Sequence, residues 1–161
     1  MSVIDISIAC AHQRLDEDDA DVVADAQIKL NAAEQMAMQF LNRNFYANQT
    51  ALDAARATVP TLHEQASAAY DAALSDAQLI TDPAYQQVLI DAAEQLYSDA
   101  KSQISQILMG IVITDDIKGA VLLLFGHLYE NREDVVVGLS VAELPLGAKH
   151  LLWPHRVGLG V

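Results

Sequence analysis

Glycine is tolerated in helix interiors less well than any residue except proline, and this chain keeps it out of its first two-thirds. All seven glycines lie at or after Gly110, while 23 of the 26 alanines lie before it. A glycine-free, alanine-rich stretch of that length is the composition of long helices. Charge divides at nearly the same place. Residues 1–100 hold 16 acids and 4 bases, whereas the remainder hold 6 and 5, so almost all of the net charge of −13 belongs to the helical part. The last third is apolar, punctuated by glycine and proline, and carries three of the five histidines. With 161 residues the chain fits one domain and can bury a core without staples. The expected fold is mainly α: an antiparallel helical bundle with a long inserted helical hairpin, a short extended segment and a C-terminal arm. Its expected parts are core helices in 1–46, the hairpin in 47–109, a central buried helix with an extended segment and a last short helix in 110–152, and a tail in 153–161.

Periodicity places the helices. A short one is predicted from Asp5 to Arg14. Val22, Ala26, Leu30, Ala33, Ala37 and Phe40/Leu41 recur at spacings of three and four, which predicts a helix from about Asp19 to Arg43. Pro60 and the Asp82-Pro83 pair suit first turns, because a proline there removes an N–H that has no intrahelical partner. The two hairpin arms then carry stripes at Leu62, Ala66, Ala69/Tyr70, Ala73 and Ala77, and at Leu89, Ala92/Ala93, Leu96, Ala100, Ile104 and Ile107/Leu108. Ile111 to Ile113 reads as extended, with Thr114 as N-cap of a helix over Asp115 to Glu130 that is apolar nearly all round. Gly119 and Gly126 share a face of it and predict a groove for another helix backbone, from the same chain or a neighbour. Val135 to Ala142 is β-branched and extended in pattern. Pro145 opens a short helix over Leu146 to Trp153, and Pro154 ends it.

Few residues invite chemistry. The chain contains no phosphate-binding glycine loop, no H-E-x-x-H, no C-x-x-C and no G-x-S-x-G. Cys10 and His12 would point about 200° apart on a helix, which spoils a nucleophile–base pair, and a lone cysteine makes no internal disulfide. Asp16 to Asp19 lacks the ligand alternation and turn glycine of a calcium loop, so a solvated helix start accounts for it better. His127 and Glu130 have the i,i+3 spacing of carboxylate-bridged metal sites without the second motif those sites need. His150, His155 and Glu143 make no better cluster. Trp153 and Arg156 are residue types of interface hot spots, although Trp153 could equally fold back over the core. The strong negative charge argues against gripping DNA through its phosphates. No apolar run approaches a membrane span, since the longest, Ala120 to Phe125, is far too short. The opening residues do not read as a secretory signal.

Two stretches carry a resemblance. Leu123 to Glu133 (LLFGHLYENRE), Val135 to Gly138 (VVVG), Val141 to Gly147 (VAELPLG) and Leu151 to Arg156 (LLWPHR) resemble the C-terminal signature of tailed-bacteriophage head–tail connector, or adaptor, proteins. Ala11 to Ala20 (AHQRLDEDDA) is similar to that family's opening. The resemblance spans about 1–46 and 110–157, and 47–109 departs from it as an insertion. It implies a non-enzymatic virion protein without metal or cofactor, which assembles in the host cytoplasm as a homo-oligomeric ring, dodecameric in expectation, on the portal protein at the capsid vertex. The ring would extend the channel for double-stranded DNA without specific binding, help retain the packaged genome, and dock the next neck or tail component, a stopper or tail terminator. Portal contact is then expected at Trp153, His155, Arg156, Val157, Leu159 and Val161. Inter-subunit contact is expected at Gly119, Gly126, Arg132, Glu133, Val136 and Glu143. Asp91, Glu94 and Asp99 would face the channel if the hairpin points inward. The alternatives are another neck or head-completion component of the same helical fold and a small metal-dependent helical enzyme.

Overall fold

The computed structural model describes residues 2–131 and 146–158. In chain order these form α1 (Ile6–Gln13), α2 (Ala20–Leu41), β1 (Phe45–Tyr46), α3 (Gln49–Ala57), α4 (Val59–Gln78), α5 (Pro83–Leu108), β2 (Ile111–Val112), α6 (Asp115–Glu130), α7 (Leu146–Leu152) and a 3-10 turn, Trp153–His155. The fold is mainly α, and the chain divides into two compact units, Met1–Asn48 with Ile111–Val161 and Gln49–Gly110.

The first unit is organised around α6. Ile117, Ala120, Val121, Leu124, Phe125 and Gly126 are all buried, and the helix packs against α2, α7 and α1. Its boundaries are those read from the sequence, with one local difference. Thr114 occupies the N-cap position in extended conformation but caps nothing; its Oγ1 donates to the carboxylate of Asp116 instead. From α2 the predicted stripe of Ala26, Leu30, Ala33, Ala37 and Leu41 enters the core, joined by Ala9 and Cys10 of α1 and Ala148 and Leu152 of α7. Asp5 and Asp19 cap α1 and α2 through their carboxylates. Both helices end on left-handed residues, Arg14 (φ 55°) and Asn42 (φ 56°), one position before the ends expected for α2 and at the expected end of α1. In each, the N–H two residues past the helix bonds back to a carbonyl of the last turn, Leu15 to Cys10 and Arg43 to Met38, which satisfies acceptors the helix leaves open.

A buried carboxylate, which the periodicity does not reveal, fixes the opening segment. Glu34 on α2 is 3 % exposed. Its Oε1 accepts from Ser2 Oγ (2.7 Å), Val3 N (3.0 Å) and Ile4 N (2.8 Å), and its Oε2 accepts from Val3 N (3.1 Å). A charge is tolerable in such a place only when donors surround it. Here they come from a segment thirty residues away, which seats Ile4 in the core.

The extended run after Gly110 finds a partner that was not anticipated. Ile111 and Val112 pair in parallel with Phe45 and Tyr46. Parallel strands cannot be joined by a tight turn and need a crossover connection. Residues 49–110, between the two strands, provide it.

That crossover is the second unit. Pro60 and Pro83 fall in first turns as expected, and α4 and α5 run antiparallel along an alanine seam in which Ala77 and Ala93 are buried. Tyr70 and Tyr97 stack across it with centroids 4.9 Å apart. Leu96 lines this seam as expected, with Ala93 and Ala100 and opposite Ala66, Ala69 and Ala73, but at its solvent margin, where 70 % of its surface stays exposed. Alanine contacts let the two backbones approach closely, so the larger side chains sit at the edge of the contact. The insertion also holds a third helix, α3, whose Arg56 donates from Nε and Nη2 to the Leu108 carbonyl at the end of α5 (3.2 and 3.0 Å).

Glu34→Ala strands the donors of Ser2, Val3 and Ile4, and is expected to cost about 2–4 kcal/mol in urea unfolding, with Glu34→Gln losing less. A loss below about 0.5 kcal/mol would show that the opening segment does not depend on this carboxylate.

Candidate functional site

The expected portal-contact residues that fall within the described structure gather where α2 ends and α6 begins. The α-helix ends before Pro154 as expected, α7 stopping at Leu152, and Pro154 lies in the 3-10 turn Trp153–His155 that follows. This turn is laid back over its own unit. His155 Nε2 is 2.5 Å from Asp116 Oδ2, and the His155 carbonyl accepts from Arg43 Nη1 at 3.2 Å. Val157 N donates to the Leu41 carbonyl (3.2 Å), one of the acceptors at the open end of α2. Trp153 packs near Phe40 with ring centroids 6.3 Å apart. The Arg156 guanidinium lies 5.1 Å from the Phe40 centroid and 5.8 Å from that of Trp153, within cation–π range of both. Gly158 adopts φ +68°, and a Cβ there would sit 3.1 Å from Asn42 Nδ2.

Within the described residues, the segment expected as a C-terminal arm lies along its own unit. Through residue 158 it is a strap fastened to its own unit by hydrogen bonds, an ion-pairable histidine and ring contacts. The fastening is incomplete in one respect: Trp153 keeps 50 % of its surface exposed. Leu159 and Val161 lie outside the described residues.

Gly119 and Gly126 also differ from expectation. The groove they make receives side chains of this chain and no helix backbone. A Cβ at Gly119 would meet Leu151 Cδ1 at 3.9 Å, and one at Gly126 would overlap Gln13 Nε2. Seven residues apart on one face, they lie under different elements, α7 and the end of α1. Arg132, Glu133, Val136 and Glu143 fall outside the described residues, as do the predicted Val135–Ala142 extended segment and Pro145.

Electrostatics mark one group at this place. Asp116 is lowered from the usual carboxylate range to about 2, first by the Thr114 hydroxyl and then by the His155 hydrogen bond. At the other candidate position, burial raises the Cys10 thiol, with Glu17 adding to the effect, so it stays protonated and a poor nucleophile. Asn131 Nδ2 donates to His127 Nδ1 (3.2 Å) and to the His127 carbonyl (2.9 Å). Among the described residues no three His, Cys, Asp or Glu side chains gather as metal ligands, and no helix is long and apolar enough to cross a membrane. What this arrangement can do is present a surface: a half-exposed indole beside a guanidinium, held on a rigid helix end.

No protein-family model matches the chain, and neither a curated protein nor a solved structure is significantly similar to it.

A carboxyl whose folded value lies below its unfolded one contributes stability above the unfolded value and loses it as pH falls through the folded one. For Asp116 that window runs from about pH 4 to about pH 2. Trp153, the single tryptophan, reports on the strap directly. Its emission is expected to change across that window in the native chain and to lack that transition in Asp116→Asn; identical acid profiles would separate the strap from this carboxylate. Gly119→Ala removes a helix-interior glycine with room for the methyl, and is expected to raise stability by about 0.5–1 kcal/mol in thermal unfolding. A loss there would mean that the helix face is already fully occupied.

Proposed function

We propose that the chain is a structural, non-enzymatic head–tail connector of a tailed bacteriophage, a ring-forming adaptor between the portal and the next neck or tail component. What supports the reading is the way the resembling stretches fold. About 1–46 and 110–157 carry the resemblance, and they lie in one compact unit, while the stretch that departs from it, 47–109, corresponds to the separate unit Gln49–Gly110. An insertion relative to a shared core has that form. The LLFGHLYE part of the resembling run ends on α6, the helix around which the unit is built.

The strap refines the proposed contacts. Trp153, His155, Arg156 and Val157 are fastened to their own unit, so a portal contact through them uses the exposed part of this strap, and Leu159 and Val161 are the other expected contacts. Net charge of −13 per copy suits a channel wall along which DNA phosphates slide without adhering. Only residues lining the bore act in this way at cellular salt, since screening confines the field to ~8–10 Å.

The purified chain is expected to co-sediment with portal-bearing capsids of its own genome and not with portal-free shells. Equal binding to both, or to neither, would overturn the connector reading. Deletion of residues 159–161 keeps the strap contacts. It is expected to leave the circular dichroism and Trp153 emission unchanged while reducing capsid attachment by about tenfold or more, the loss typical of removing an interface anchor. Undiminished attachment would remove the tail from the portal contact.

A further inference from the structure

Two features at opposite ends of α2 are left unmatched by the fold. At the C-terminal end, the Arg156 guanidinium lies against the Phe40 and Trp153 rings, and no carboxylate pairs with it among the described residues. Its Nε is buried without an acceptor among the described residues. In a chain with 22 acids, an arginine taken partly out of water and given aromatic rings in place of a carboxylate is poorly satisfied. At the N-terminal end, Asp16, Glu17, Asp18 and Asp19 are all exposed. Asp16 accepts from Asp18 N (3.1 Å) and Asp19 caps the helix, but none of the four pairs with a cation among the described residues. The helix dipole favours acids at one end and bases at the other, which explains the signs of these charges. It explains neither the ring-flanked guanidinium nor the half-bare indole.

The two features cannot meet inside one molecule. They are separated by the 22 residues of α2, about 33 Å at 1.5 Å per residue. That is several screening lengths at cellular salt.

We propose that the Phe40–Trp153–Arg156 face of one copy receives the acidic turn Asp16–Asp18 of a second copy, so that the chains join head to tail. Charge selects this occupant. The same face of another copy would set Arg156 against Arg156, whereas the acidic turn offers three exposed carboxylates beyond the start of a rigid helix. A guanidinium already held beside two rings presents its remaining N–H groups in the fork geometry that carboxylates accept bidentately. The exposed half of Trp153 supplies apolar contact beside it, and tryptophan and arginine are the residue types that dominate interface energies. Because the two halves of the contact differ, each added copy leaves one of each free. Such an interface closes into a ring or continues as a filament. The proposal rests on the self-assembly part of the connector reading and is independent of the portal.

The full chain is expected to self-associate at low salt in sedimentation or native mass measurements, and to dissociate as salt is raised. Arg156→Gln, and separately Asp16→Asn/Glu17→Gln/Asp18→Asn with the capping Asp19 kept, are each expected to weaken association by about tenfold or more with unchanged circular dichroism. Mixed in equal amounts, the two variants are expected to form a dimer and nothing larger, since each keeps one intact half of the joint. The proposal is overturned if both variants associate like the native chain, if the mixture gives no dimer, or if the native chain stays monomeric at low salt. Association that survives in both variants refutes this joint alone, because the connector reading is judged separately by attachment to portal-bearing capsids.

Discussion

A helix that is apolar on nearly every side must be enclosed, and α6 imposes that requirement on the whole first unit. One neighbour covers only a stripe of it. The chain answers with three: α2 along one side, α7 on another, and α1 reaching Gly126 through Gln13. The placement of the closing strap follows from this enclosure. Once α7 is laid on α6, the next residues arrive beside the start of α6 and the end of α2. There Asp116, Arg43 and the Leu41 carbonyl offer partners for His155 and Val157. Burial of one helix thus decides where the last described residues of the chain lie.

Features written in local sequence were legible. The α2 stripe, the ends of α6 and the proline-marked starts of α4 and α5 depend on spacing and caps within a few residues, and they fall where the sequence places them. Glu34 illustrates what is not legible. In sequence it is one more acid on an acidic helix, and only the arrival of Ser2 to Ile4 makes it a buried acceptor. The strand at Phe45–Tyr46 is too short to show alternation, and it exists because Ile111 comes alongside. Leu96 lines the seam that its helical phase assigns it to, yet phase does not reveal that it stays at the exposed margin of a contact made by alanines. Trp153 stood between two readings, interface or core, and its half-exposed position beside Phe40 partakes of both.

The uneven charge of the sequence has a counterpart in how cations are used. In the first unit, Lys29 pairs with Asp25 and lies 4.8 Å from the Tyr129 centroid, Lys118 pairs with Asp115, and Arg43 holds the His155 carbonyl. Bases are few and most have a structural task. Against that background Arg156 is an exception among the described residues, a guanidinium flanked by two rings with no carboxylate pairing it. The strap beneath it matters for the same reason, since a guanidinium on a loose tail would lose its orientation and much of its selectivity.

The two-residue parallel ladder at the base of the hairpin has a consequence for how such chains can vary. It pins the points at which the excursion departs and returns, and says nothing about how far it extends in between. Antiparallel arms can therefore grow or shrink together, each added turn in both arms inserting about seven residues and about 5.4 Å of length. The seam of alanines extends with them. Hairpin length is thus an adjustable dimension of this chain, one that can be retuned by insertion or deletion while the α6-centred unit keeps its packing.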